Sequence, residues 1–157
     1  MGSVSRVVKR IRTAVVAALI VLPAPVAAGC GGDEPSEFRN GYEAAIKRLN
    51  RANAEIQRTA ASRNQTNAQI AADFRRTANA FETTRDDLSG LDPPQDAADE
   101  FDEMLSVLGT SVRDLRAAGE AAKANDPAAF ERAVEDMSKS SKELTDSERA
   151  LRKATGS

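Results

Sequence analysis

The strongest constraint on this chain is how few large apolar side chains it has and how they are spaced. Residues 30–157 hold 46 apolar residues, of which 23 are alanines, and only 19 are Leu, Ile, Val or Phe. A core built from so few large groups forms only if they fall on one face of each element. They do, at steps of three and four. Phe38, Tyr42, Ile46, Leu49 and Ile56 make one stripe, with Ala45 and Ala52 filling it. Ile70, Phe74, Phe81 and Leu88 make a second, with Thr77 and Thr84 between them. Ala98, Phe101, Leu105, Leu108, Val112, Leu115, Gly119 and Ala122 make a third. Phe130, Val134, Met137, Ser141, Leu144 and Leu151 make a fourth, which weakens towards Glu148 and predicts fraying from about Arg152. This period is that of amphipathic helices, and alanine has the highest helix propensity.

Punctuation sets the limits of the helices. Ser36 suits an N-cap, and the polar run 62–67 predicts a turn. Gly90 followed by Pro93-Pro94 is the clearest break, because proline cannot continue a helix. Asp126 before Pro127 is a start signal, a capping side chain followed by a residue pre-set for the first helical position. The expected helices are about 36–61, 67–89, 95–124 and 127–152. Strand signals are nearly missing, since seven of the ten valines lie before residue 30. The expectation is an all-α fold, an antiparallel up-down four-helix bundle, in the segment 36–157.

Residues 1–29 differ in every respect. They carry Arg6, Lys9, Arg10 and Arg12 with no acid, a charge of +4, whereas residues 30–157 hold 18 basic and 24 acidic groups, a net of −6. An apolar run of 15 residues, 14–28, follows Arg12 and contains Pro23 and Pro25. That is short of the roughly 20 residues of a spanning helix. A basic stretch, an apolar run and small residues are the parts of a secretory signal. No Arg-Arg pair precedes the run, which argues against a twin-arginine signal.

The end of this leader is more specific. Val26-Ala27-Ala28-Gly29-Cys30 resembles the lipobox of bacterial lipoproteins. The resemblance implies cleavage between Gly29 and Cys30, a diacylglyceryl thioether on Cys30 and acylation of the new amine. Gly29 and Ala28 fit the pattern; Ala27 departs from the leucine most often found there. Cys30 is the single cysteine of the chain. The alternatives are a transmembrane anchor, or ordinary secretion with Val26-Ala27-Ala28 as a small-x-Ala cleavage site. The second would leave one free thiol in an oxidising compartment. On the lipoprotein reading, 1–29 is the signal peptide and 30–35 is the lipidated Cys30 with a short tether. The bundle is then attached to the outer face of the cytoplasmic membrane. The lipobox, 16 Arg against 6 Lys, and the Leu91-Asp92-Pro93-Pro94 break together resemble the small lipoproteins of high-GC Gram-positive bacteria.

Catalytic constellations are scarce. The chain has no His, which excludes His-based triads and His-ligated metal sites. Asp92, Asp96, Asp99, Glu100, Asp102 and Glu103 cluster where a helix begins; they lack the alternation and central Gly of an EF-hand and are read as complementing the helix dipole. Arg48, Arg51, Arg58, Arg75 and Arg76 interleave with acids and are read as a solvated face with pairs such as Arg51 and Glu55, and no nucleic acid is expected. Ser138-Lys139-Ser140-Ser141-Lys142 puts hydroxyls beside amines, but no Lys stands three residues after a Ser. Tyr42, Thr77, Thr84 and Ser141 bring hydroxyls near the apolar stripes. They line a small cavity or bond back to helix carbonyls. The function expected is binding of another envelope component by a lipid-anchored protein that is not an enzyme and needs no cofactor. The alternative is a carrier or sensor of a small apolar ligand inside the bundle.

Overall fold

The computed structural model describes residues 36–60 and 65–155; the leader, Gly29 and Cys30 lie outside the described residues. These form four helices: α1 Ser36–Ala60, α2 Asn67–Ser89, α3 Ala98–Ala124 and α4 Pro127–Ala154. One 3₁₀ turn, Gln95–Ala97, precedes α3, and no strand occurs among the described residues. The chain is therefore all-α, and no described helix is long and apolar enough to cross a membrane.

Local chemistry accounts for the helix limits. Thr66 starts α2 with a capping box. Its hydroxyl accepts from the Gln69 N–H at 3.2 Å, and the Gln69 side chain accepts from the Thr66 N–H at 2.8 Å. Two of the otherwise orphaned donors of the first turn are thereby satisfied. Asp126 caps α4, its carboxylate accepting from the Ala129 N–H at 2.9 Å, with Pro127 behind it. The end of α3 turns on Asn125, the one non-glycine residue with positive φ (56°) among the described residues. Its N–H reaches the Ala122 carbonyl at 3.1 Å, and the Asp126 N–H reaches Ala121 at 3.0 Å. This is a Schellman ending, with asparagine in the left-handed position. The Asn125 side chain also accepts from Asn67 at 2.8 Å, tying the α3–α4 corner to the start of α2. Gly90 caps α2 at φ −90°, a conformation open to any residue; the break there comes from the prolines, not from glycine's freedom.

Two expected limits change. The third helix begins with a 3₁₀ turn, its Ala97 N–H bonding to the Pro94 carbonyl at 2.9 Å, and α-helix follows from Ala98. Fraying from Arg152 is not seen. α4 continues to Ala154, because Leu151 is buried and the Thr155 N–H closes the last turn on its carbonyl at 2.9 Å.

α3 packs against both α2 and α4. Charged pairs link consecutive helices: Arg48 to Asp87 at 2.8 Å, Arg76 to Glu55 at 3.3 Å and Arg116 to Glu82 at 2.6 Å. All are exposed, and such pairs contribute about 0–1 kcal/mol each. The core holds the helices together. Leu49, Leu88, Leu108, Phe81, Phe101 and Phe130 are essentially inaccessible to solvent. Phe74 and Phe130 meet edge to face at 5.7 Å, as do Phe38 and Phe101 at 5.3 Å. Each such pair adds about 0.5–1.5 kcal/mol beyond the area it buries.

Alanine sets how closely the helices approach. Ala78, Ala97 and Ala118 are fully buried. At Gly119 an added Cβ would stand 3.3 Å from the Phe74 Cβ and 3.4 Å from the Ala71 carbonyl oxygen, so α3 lies almost directly on the α2 backbone. The third stripe is shifted accordingly. Met104, Ser111, Ala118 and Ala121 are buried together with Phe101, Leu108, Val112, Leu115, Gly119 and Ala122, whereas Ala98 and Leu105 are only partly covered. A helix packed on two sides buries a wider face than one heptad line. In the fourth stripe Ser140 is buried in place of Ser141, which is partly covered.

Phe101 is almost fully buried and meets Phe38 edge to face. Replacing it with alanine should cost about 3–5 kcal/mol, the range for a fully buried Phe. Denaturant unfolding of the variant measures this, and an unchanged midpoint would remove Phe101 from the core.

Candidate functional site: a buried polar seam between the first and last helices

Glu148 is the residue that departs most from its neighbours. It stands seven residues after Ser141 and fourteen after Val134, so helical geometry carries it into the core. Its side chain is only 2% exposed. One oxygen accepts from the Arg152 guanidinium at 2.7 Å, one helical turn on. The other, Oε2, accepts no hydrogen bond among the described residues. Arg152 keeps 26% of its side-chain surface exposed, and its guanidinium joins the buried acid to the solvent edge.

Tyr42, on α1, faces this pair. Burial pushes its phenol well above the ordinary tyrosine range; the Glu148 carboxylate adds to that, and Arg152 opposes it. The hydroxyl donates to the Met104 sulfur of α3 at 3.9 Å, a weak acceptor. The ring stacks on Phe38 at 6.0 Å, and Phe38 in turn meets Phe101. Asn53, about one turn of α1 beyond Leu49, is also buried. The surfaces between α1 and the rest of the fold therefore carry Tyr42, Asn53 and Glu148 among apolar groups. The arrangement can hold a proton on the phenol and an ion pair on the acid. It sets no nucleophile beside a base.

Asp114 is a second strained acid, on α3. Its Oδ2 is buried and accepts no hydrogen bond among the described residues. The Ser140 hydroxyl lies between this carboxyl and the Met137 carbonyl, 3.3 Å away, and has one proton to give. Burial pushes the Asp114 carboxyl up, the Ser140 hydroxyl opposes this, and nearby Asp136 adds to it.

The residues singled out from the sequence are not assembled into a site. Asp92, Asp96, Asp99, Asp102 and Glu103 are solvent-exposed, and among the described residues no three His, Cys, Asp or Glu side chains are placed to hold a metal ion. The expected Arg51–Glu55 pair does not form: the Arg51 Nε donates to the Lys47 carbonyl at 3.2 Å, and Glu55 pairs across helices with Arg76. An arginine near its own preceding turn finds a carbonyl closer than a carboxylate. Arg58 does the same with Ala54 at 3.1 Å. Lys139 is held between Glu135 at 3.2 Å and Asp136 at 3.3 Å. Both hold its ammonium above the usual lysine range, which keeps it charged and unfit as a base for Ser138, Ser140 or Ser141. Thr77 and Thr84 donate to the Asp73 and Ala80 carbonyls of their own helix at 3.1 and 2.8 Å. Their hydroxyls are used within the helix, as threonine allows, and do not line a binding surface.

Compared with known proteins, the chain matches no family model, no curated protein and no solved structure.

The raised carboxyl of Asp114 gives a pH-dependent expectation. An acid with a higher pKa in the folded state binds more protons there, so stability falls as pH rises through the interval above the unfolded value of 3.8. Asp114→Asn should therefore melt at a higher temperature than the unaltered chain at pH 7, and the gain should shrink as pH falls towards 4. Melting curves across that range test this; a gain independent of pH would show that Asp114 does not carry the effect.

Proposed function

We propose that this is a lipid-anchored helical bundle on the outer face of the cytoplasmic membrane that acts by binding another envelope component, without catalysis. The observation that carries the reading is Val26-Ala27-Ala28-Gly29-Cys30, a small-residue cleavage zone ending at the single cysteine of the chain. Two or three acyl chains on Cys30 would give stable anchoring, at ~0.8 kcal/mol per buried CH₂. α1 starts at Ser36, so five residues separate the anchor from the fold. They span at most ~17 Å, which keeps the domain against the membrane.

The antiparallel up-down order belongs to the same reading. Its support is the pairing of Arg48 with Asp87 and of Glu55 with Arg76, in which the later position of α1 meets the earlier position of α2. The Asn67–Asn125 hydrogen bond likewise joins the start of α2 to the end of α3. The Phe38–Phe101 and Phe74–Phe130 contacts join alternate helices at like positions, as diagonal neighbours would be. Partner binding is favoured over a ligand carrier because the threonine hydroxyls of α2 are consumed within the helix, and because Gly119 brings α3 onto the backbone of α2.

Cys30→Ser should release the protein from membranes and abolish incorporation of labelled fatty acid, with unchanged helix content. Fractionation of expressing cells reads both. Retention of the variant in the membrane fraction would overturn the anchoring.

A further inference from the structure

The backbones of α1 and α3, and of α1 and α4, nowhere come within 8 Å between Cα atoms among the described residues. Helices packed ridge into groove sit 8–10 Å apart between axes, with Cα atoms ~2.3 Å off each axis, so directly packed pairs always approach more closely than that. α2 meets α3, and α3 meets α4, in that close way; α1 has such contact with α2 alone, and less extensively. It reaches α3 through side chains, Phe38 to Phe101 at 5.3 Å and the Tyr42 hydroxyl to Met104 at 3.9 Å, and on the α4 side Tyr42 feels the charges of Glu148 and Arg152.

The same boundary contains buried groups that water would stabilise. Docked α1 covers a region where Glu148 Oε2 accepts no hydrogen bond and the Tyr42 hydroxyl has a thioether for an acceptor. An unsatisfied buried acceptor loses its hydration without replacement, and the loss is larger when it is charged. Separation of α1 would restore that hydration, offsetting part of the apolar burial lost at Phe38, Ile46, Leu49 and Ile56.

From these two observations we infer that α1 is a separable strap. It undocks from a persistent α2–α3–α4 unit without global unfolding, and Glu148 sets the docking strength by opposing it. The inference is independent of the lipid anchor. If the anchor is present, the strap is the helix directly attached to it, and its undocking exposes the apolar stripe of α1 beside the membrane.

Hydrogen exchange on the full-length chain in detergent, read peptide by peptide by mass spectrometry, tests this. Amides of α1 whose acceptors lie inside the helix should exchange at least about tenfold faster than the best-protected amides of α2, α3 and α4, the mark of a sub-global opening. Phe38→Ala should speed exchange in α1 and leave the other three helices unchanged. Glu148→Leu removes the uncompensated oxygen and lets Arg152 turn outward, so α1 should exchange more slowly than in the unaltered chain. A common exchange rate for all four helices in the unaltered chain would overturn the proposal, as would faster exchange of α1 in Glu148→Leu. If a variant fails to fold, the comparison within the unaltered chain still decides.

Discussion

The close approach of α3 to its neighbours is the constraint on which the rest of the structure depends. The chain has few large apolar side chains, so it cannot hold helices together at a distance. Alanine and glycine at buried positions shorten the distance instead. Ala118 and Ala78 are fully buried, and Gly119 lies against Phe74 and the Ala71 carbonyl. Short separation lets modest groups touch on both sides, and dispersion contacts accumulate where atoms are dense. Four of the five phenylalanines meet a partner ring, Phe38 with Phe101 and Phe74 with Phe130, and Phe81 is buried in the same core.

α1 does not share this arrangement. Its buried face is built from larger groups, Phe38, Ile46, Leu49 and Ile56, with Tyr42 and Asn53 among them. These keep its backbone further from α3 and α4. The charged Glu148 lies at that wider boundary, where Arg152 can reach both the acid and the solvent. A buried ion pair contributes little net stability once desolvation is counted. The close-packed helices hold polar groups too, but Thr77, Thr84, Ser111 and Ser140 are small and bond to carbonyls of their own helix.

Much of this was legible in the sequence because helix period and caps are local signals. The steps of three and four in Ile70, Phe74, Thr77, Phe81, Thr84 and Leu88 gave the buried face of α2 apart from Ala78, and Asp126-Pro127 gave the start of α4. Two failures share one cause. A stripe drawn through apolar residues skips polar ones on the same line. Asn53 lies between Leu49 and Ile56 at core spacing, and Glu148 lies between Leu144 and Leu151. Both positions are predictable from period alone; only the assumption that charge means surface hid them. The breadth of the α3 face, including Met104 and Ser111, was not legible, because it follows from α3 having two close neighbours. Cys30 and the leader lie outside the described residues, and the processing signal proposed for them rests on the sequence alone.

The central claim is that small residues fix the helix separation and that the core has no slack at those points. Thermal unfolding of Ala118→Leu measures it most directly. The substitution adds apolar surface to a residue that is fully buried. Close packing predicts a loss of stability, of about 1–3 kcal/mol for overpacking a filled core. An unchanged or higher melting temperature would mean that the site has room to accept the larger side chain, and would contradict the account.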